Sequence, residues 1–159
     1  MQGNPQVIAA LNQLLAAELS SIDQYFVHSQ MYRNWGYHRL YARIDHERGD
    51  EIGHATRLIE RILFLGGIPN VAARTALRIG ADVPAMLQHD LDTEYEVANA
   101  LKQAITLCES VQDYVTRRTL LQLLDDTEQD HAHWLEQQLG LIQAVGLQNY
   151  LQSQVEAPE

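Results

Sequence analysis

From Val7 to Phe26 the apolar residues fall at three- and four-residue steps: Val7, Ile8, Leu11, Leu14, Leu15, Leu19, Ile22 and Phe26. That period lines them along one stripe of an α-helix, not along alternate faces of a strand. Asn4 is placed to cap this helix and Pro5 to begin it, where a missing N–H costs nothing. The first helix is therefore predicted from about Pro5 to Asn34, with Gly36 as its end. A second runs from about His38 to Leu65, stopped by Gly66-Gly67 and kept from resuming by Pro69. Residues 66–82 carry no helical period and are longer than the usual link between adjacent antiparallel helices. They can run the length of a bundle and re-enter at its far end, so a crossover is expected.

The third helix is predicted to start at an Asp82 cap with Pro84 in its first turn and to reach about Val111. Asp113 can cap a fourth that continues to about Val145, with Gly140 as an alternative stop. Leu147 to Gln154 suits a short fifth helix, and Ala157-Pro158-Glu159 a frayed end. The expected fold class is all-α: one domain over residues 1–159, four long helices, a crossover between the second and third, and a short fifth helix.

Composition narrows the function. Hydrophobic residues make up 46% of the 159, enough for a real core. No apolar run approaches the ~20 residues of a membrane helix. Met1-Gln2-Gly3-Asn4-Pro5 shows no basic stretch leading into an apolar one, so no secretory signal is expected. Cys108 is the single cysteine, which fits a reducing, cytoplasmic setting. A net charge of −10 disfavours nucleic acid and concentrates small cations near the surface.

Chemistry enters with two Glu-x-x-His sequences, Glu51-Ile52-Gly53-His54 and Glu128-Gln129-Asp130-His131. On an α-helix, residues three apart share a face, so carboxylate and imidazole can grip one edge of a metal. Helix heights strengthen the case. With Trp35 as the first hairpin's turn, Glu18 and Glu51 both lie roughly 25 Å from it at ~1.5 Å per residue. Glu94 and Glu128 are matched in the same way about Gln112. Glu18 falls among Leu15, Leu19, Ile22 and Tyr25 on an inward stripe, and Glu94 beside Leu91, Ala98 and Leu101. An unpaired buried carboxylate costs several kcal/mol or more, so a bound cation pair is the simplest partner. The third helix offers only Lys102 as a basic alternative. Carboxylate and imidazole suit Fe, Mn and Zn alike, so ligand type does not choose the metal. Glu60, Glu96, Glu109 and Glu136 read as solvated faces.

Beyond these residues the chain resembles the bacterioferritins. The resemblance rests on Met1-Gln2-Gly3-Asn4, Glu18-Leu19, Asp23-Gln24-Tyr25-Phe26, Trp35-Gly36, Arg61 to Gly67, Leu77-Arg78-Ile79-Gly80, Asp113-Tyr114-Val115 and Gly146 to Tyr150. It covers essentially the whole chain and implies a ferritin-like bundle with a ferroxidase centre holding two irons per subunit. By that likeness Glu18 and His54 hold one iron, Glu94 and His131 the other, and Glu51 and Glu128 bridge them. The family oxidises Fe(II) with O2 or H2O2 and stores ferric mineral in a 24-subunit shell. His46 and Asp50 match a further iron site on its inner surface. Family members bind haem through a Met where this chain has Ile52, which has no lone pair to give. The expectation is a haem-less type, able to co-assemble with a haem-binding sister subunit. A catalase- or peroxidase-like di-iron or di-manganese oxidoreductase is the alternative on the same bundle. Tyr25 fits either a partner to the ligands or core packing. Trp134 and Cys108 read mainly as packing.

Overall fold

A computed structural model describes residues 1–156; the expected fray at Ala157–Glu159 lies outside the described residues. The chain forms α1 (Pro5–Trp35), α2 (His38–Phe64), α3 (Val83–Ser110), α4 (Tyr114–Asp126), a π-helical segment (Thr127–Ala132), α5 (His133–Val145) and α6 (Leu147–Ser153). The last long helix of the bundle is α4, the π segment and α5 run end to end, and α6 is the short fifth helix. Among the described residues there is no strand, and no helix is long and apolar enough to cross a membrane.

Local chemistry sets the boundaries. Asn4 Oδ1 accepts from Gln6 N–H at 2.8 Å, Asp82 Oδ1 from Ala85 N–H at 2.9 Å, and Asp113 Oδ1 from Thr116 N–H at 3.0 Å. Each satisfies one of the N–H groups a helix start leaves open. Gly36 ends α1 at φ 84°, a left-handed conformation that costs glycine little. Gly140 does not interrupt α5, and Gly146 ends it.

The crossover is held to α1 residue by residue. Asn12 bonds Ile68 O and Asn70 N–H, Ser20 accepts from Thr75 N–H, Asp23 pairs with Arg74, Gln24 Oε1 accepts from Arg78 N–H, and His28 Nε2 accepts from Gly80 N–H. Both partners ascend together, so the connector runs alongside α1 in its own direction. Contacts of Gln24 and His28 with Asp90, and of Tyr25 with Glu94, set α3 antiparallel to α1. Helices α2 and α3 are consequently parallel, which is why a long return is needed.

The core divides into two apolar halves. One contains Leu11, Leu15, Leu58, Leu101 and Leu123; the other contains Ile44, Met86, Leu87, Leu91 and Leu135. Every long helix passes from one half to the other. Where it does so its buried residues turn polar: Glu18 to Gln24, Glu47 to His54, Asp90 and Glu94, Thr127 and His131. This belt at mid-height holds the site.

Candidate metal centre

Five of the six expected ligands meet in the belt. Glu18, Glu51 and Glu94 are 0–1% exposed, His54 3% and His131 2%. His54 Nδ1 lies 3.2 Å from Glu51 Oε2 and 3.8 Å from Glu18 Oε1. His131 Nδ1 lies 2.9 Å from Glu51 Oε1 and 3.6 Å from Glu94 Oε2. The two imidazole rings stack, with centroids 5.5 Å apart. Glu51 thus stands between two half-sites, Glu18 with His54 and Glu94 with His131. The ligand atoms of each half-site, taken with Glu51, fall within 4.8 Å of one another.

The donor set fits metal better than a purely protein network. Both Glu18 oxygens, Glu51 Oε2, Glu94 Oε2, His54 Nδ1 and His131 Nδ1 are buried and make no well-formed hydrogen bond among the described residues. Native interiors seldom leave so many polar atoms unsatisfied in one place. Tyr25 donates its hydroxyl hydrogen to Glu94 Oε1, so this residue touches a ligand as well as packing.

Electrostatics show the strain of the metal-free pocket. Burial, and then the charge of Glu51, raise Glu18 well above the carboxylate range and push Glu94 up to about 7. Burial also works against an ionised Glu51, but the close approach of Glu18, His131 and His54 outweighs it and holds that carboxyl low. Burial disfavours charge on His131, yet Glu47, Glu51 and Glu94 outweigh it and raise its affinity for a proton. Entering cations would replace protons here.

Glu128 is not brought in. Its side chain is 46% exposed and pairs with Lys102 at 2.5 Å. The physical reason is the π segment. Three-residue spacing shares a face in an α-helix, but a π turn closes over i→i+5 bonds and rotates Glu128 away from His131. The inward position falls to Thr127, which is fully buried. A signal was present: the stripe through Leu120 and Leu123 reaches Thr127, not Glu128, at i+7.

Glu47 escaped the sequence reading although it lies four residues before Glu51 on the same inward face. It is 2% exposed, and its Oε2 lies 2.9 Å from His131 Nε2. With Nε2 turned toward Glu47, Nδ1 is aimed at the pocket, the usual way a carboxylate orients a metal-binding histidine. Arg43 contacts Glu47 and bonds Asp130 at 2.6 Å, with its guanidinium 5.1 Å from the Trp134 ring centre. Outside His131 a cleft of about 240 Å³ is lined by Asp50, His54, Asp126 and Asp130. His46 and Asp50 lie 3.3 Å apart on the exposed face of α2, while Ile52 is 45% exposed on that helix.

A family model described as the ferritin-like domain matches residues 8–145. The chain belongs to the ferritin family. This ferritin is 57% identical over 155 residues to the bacterial ferritin of Synechocystis sp., covering 98% of this chain and 99% of the relative. It is 55% identical over 155 residues to that of Neisseria meningitidis serogroup B, covering 98% and 100%. It is 41% identical over 158 residues to the bacterioferritin of Mycolicibacterium paratuberculosis, covering 99% of each. Iron storage is the function this membership supports, and the buried carboxylate and histidine cluster fits a ferroxidase centre.

Proposed function

We propose that this ferritin takes up two Fe(II) ions per subunit between Glu18, Glu51, His54, Glu94 and His131 and oxidises them with O2 or H2O2. The observation that supports this most is the set of buried carboxylate and imidazole atoms that face one another without hydrogen-bond partners. Two Fe(II) ions lose one electron each, and the oxidant takes the pair: H2O2 with two protons gives two waters, and O2 with two protons gives H2O2. Paired metals let the oxidant avoid a one-electron step.

The protein's own groups set the conditions. Glu51 balances both irons, Glu47 holds the His131 ring, and Tyr25 holds Glu94. Burial of Glu18, Glu51 and Glu94 keeps bulk water from their carboxylates. The cleft beside Asp50, Asp126 and Asp130 offers an acidic approach for Fe(II), with His46 and Asp50 as a further iron site at the shell's inner surface. The product is stored as ferric mineral inside a 24-subunit particle. Haem is not expected through this subunit alone, because Ile52 offers hydrocarbon where the family uses Met; a shell mixed with a Met-bearing sister subunit would supply it.

An anomalous-scattering map at the iron edge, from crystals soaked in Fe(II), should show two peaks within the pocket. Glu18→Ala should slow the first phase of Fe(II) oxidation at least tenfold, about 1.4 kcal/mol or more of barrier. A wild-type rate in that variant would remove the catalytic assignment.

A further inference from the structure

We propose that Thr127 fills the inward place on the fourth bundle helix, so that the pocket offers five protein ligands and leaves open the place of a second bridging carboxylate, where the Thr127 hydroxyl holds a solvent oxygen. The inference rests on the di-iron reading above and deepens it.

Three observations carry it. First, the buried residues of the last long helix run Thr116, Leu120, Leu123, Thr127 and His131 before Ala132 and Leu135. Leu123 belongs to one apolar half and Ala132 to the other. Thr127 and His131 therefore make up this helix's share of the polar belt, as Glu18, Glu51 and Glu94 do on the other three. Second, Thr127 Oγ1 is buried and has no hydrogen-bond partner among the described residues. Third, five other helical hydroxyls do otherwise, though the buried Ser21 Oγ also lacks a partner. Ser20, Thr56, Thr93, Thr106 and Thr119 each donate to the carbonyl four residues back. Thr127 makes no such bond to Leu123 O. A buried hydroxyl that declines its own helix needs another partner, and an oxygen bound at the adjacent metals provides one.

The π segment is what makes the exchange. It turns a carboxylate out to Lys102 and brings a neutral hydroxyl in. One charge fewer is then buried, and the pocket lacks a carboxylate that would compete with small exogenous anions. Thr127 would be a positioning residue, acting on iron through a solvent oxygen.

The test uses Co(II) as a redox-silent probe and azide as the exogenous ligand, both followed by visible absorption on the assembled protein. Wild type should bind two Co(II) per subunit and then azide. Failure of Co(II) to bind the wild type would count against the di-iron reading itself. Given that binding, Glu128→Ala should keep both Co(II) ions and the wild-type azide affinity. Thr127→Val, with the same outline and no hydroxyl, should weaken azide about fivefold, the scale of one lost hydrogen bond. Thr127→Ser should restore it, and Thr127→Glu should weaken azide at least tenfold by competing for the open place. Loss of one Co(II) in Glu128→Ala would show that Glu128 swings in to ligate, and would overturn the proposal. Wild-type azide affinity in Thr127→Val or in Thr127→Glu would overturn it as well.

Discussion

Replacing Glu94 by Gln should stabilise the metal-free protein at pH 8 and reduce what metal adds. Glu94 is fully buried, and its carboxyl titrates at about 7 against an ordinary 4.5. A folded-state value above the unfolded one means the fold prefers the neutral acid. Its stabilisation is complete below about pH 4.5 and is lost as pH rises through 7. The difference is roughly 2.5 units, which at 1.36 kcal/mol per unit is about 3 kcal/mol lost by pH 8. Gln keeps the shape and still accepts the Tyr25 hydroxyl through its amide oxygen, but it never has to ionise. At roughly 2–4 °C per kcal/mol for a chain of this size, the variant should melt about 6–12 °C above wild type at pH 8 in chelator. The gap should close toward pH 5. Adding Co(II) at pH 8 should raise the wild-type midpoint more than that of the variant, which keeps only the Glu18, Glu51 and His54 half-site intact. Scanning calorimetry at the two pH values measures all of this. A variant that melts below wild type in chelator at pH 8 would refute the reasoning, because Glu94 would then be held by partners good enough to reward its charge.

Other expectations follow from the same structure. Gly80→Ala should destabilise by about 1–3 kcal/mol, seen as a lower denaturation midpoint, because the new Cβ would sit 2.4 Å from Met86 N. Asn4→Ala should cost about 1 kcal/mol through the lost cap of α1, read from the same midpoint. Cys108 is 1% exposed and burial pushes its thiol up to about 11, so maleimide at pH 7 should label it only after denaturation. Mass spectrometry of the native protein showing rapid labelling would contradict that burial.

Most of the fold could be read before the structure. Helix starts at Asn4, Asp82 and Asp113 are written in local chemistry, since an Asx side chain can reach only N–H groups two or three residues on. The crossover followed from a connector too long for a hairpin. Glu18 and Glu94 were legible as centre residues because a carboxylate on an apolar stripe must go inward with it, and Glu51 because it lies three residues before His54 at the height of Glu18. Glu47 lies one helical turn before Glu51 on the same face but has no histidine three residues on, and its partner His131 comes from a helix more than eighty residues away in sequence.

What the sequence determined alone is the period: which residues share a helical face, where each helix begins, and at what height the acids lie. Tertiary packing decided where that period breaks. To keep Leu123 in one apolar half and Leu135 in the other while His131 still faces Glu51 and Glu94, the last long helix widens into a π turn. No local propensity in Thr127–Ala132 demands that turn; the burial of side chains on both sides of it does. Because face assignment depends on residues per turn, that single choice sends Glu128 to Lys102 and brings Thr127 inside.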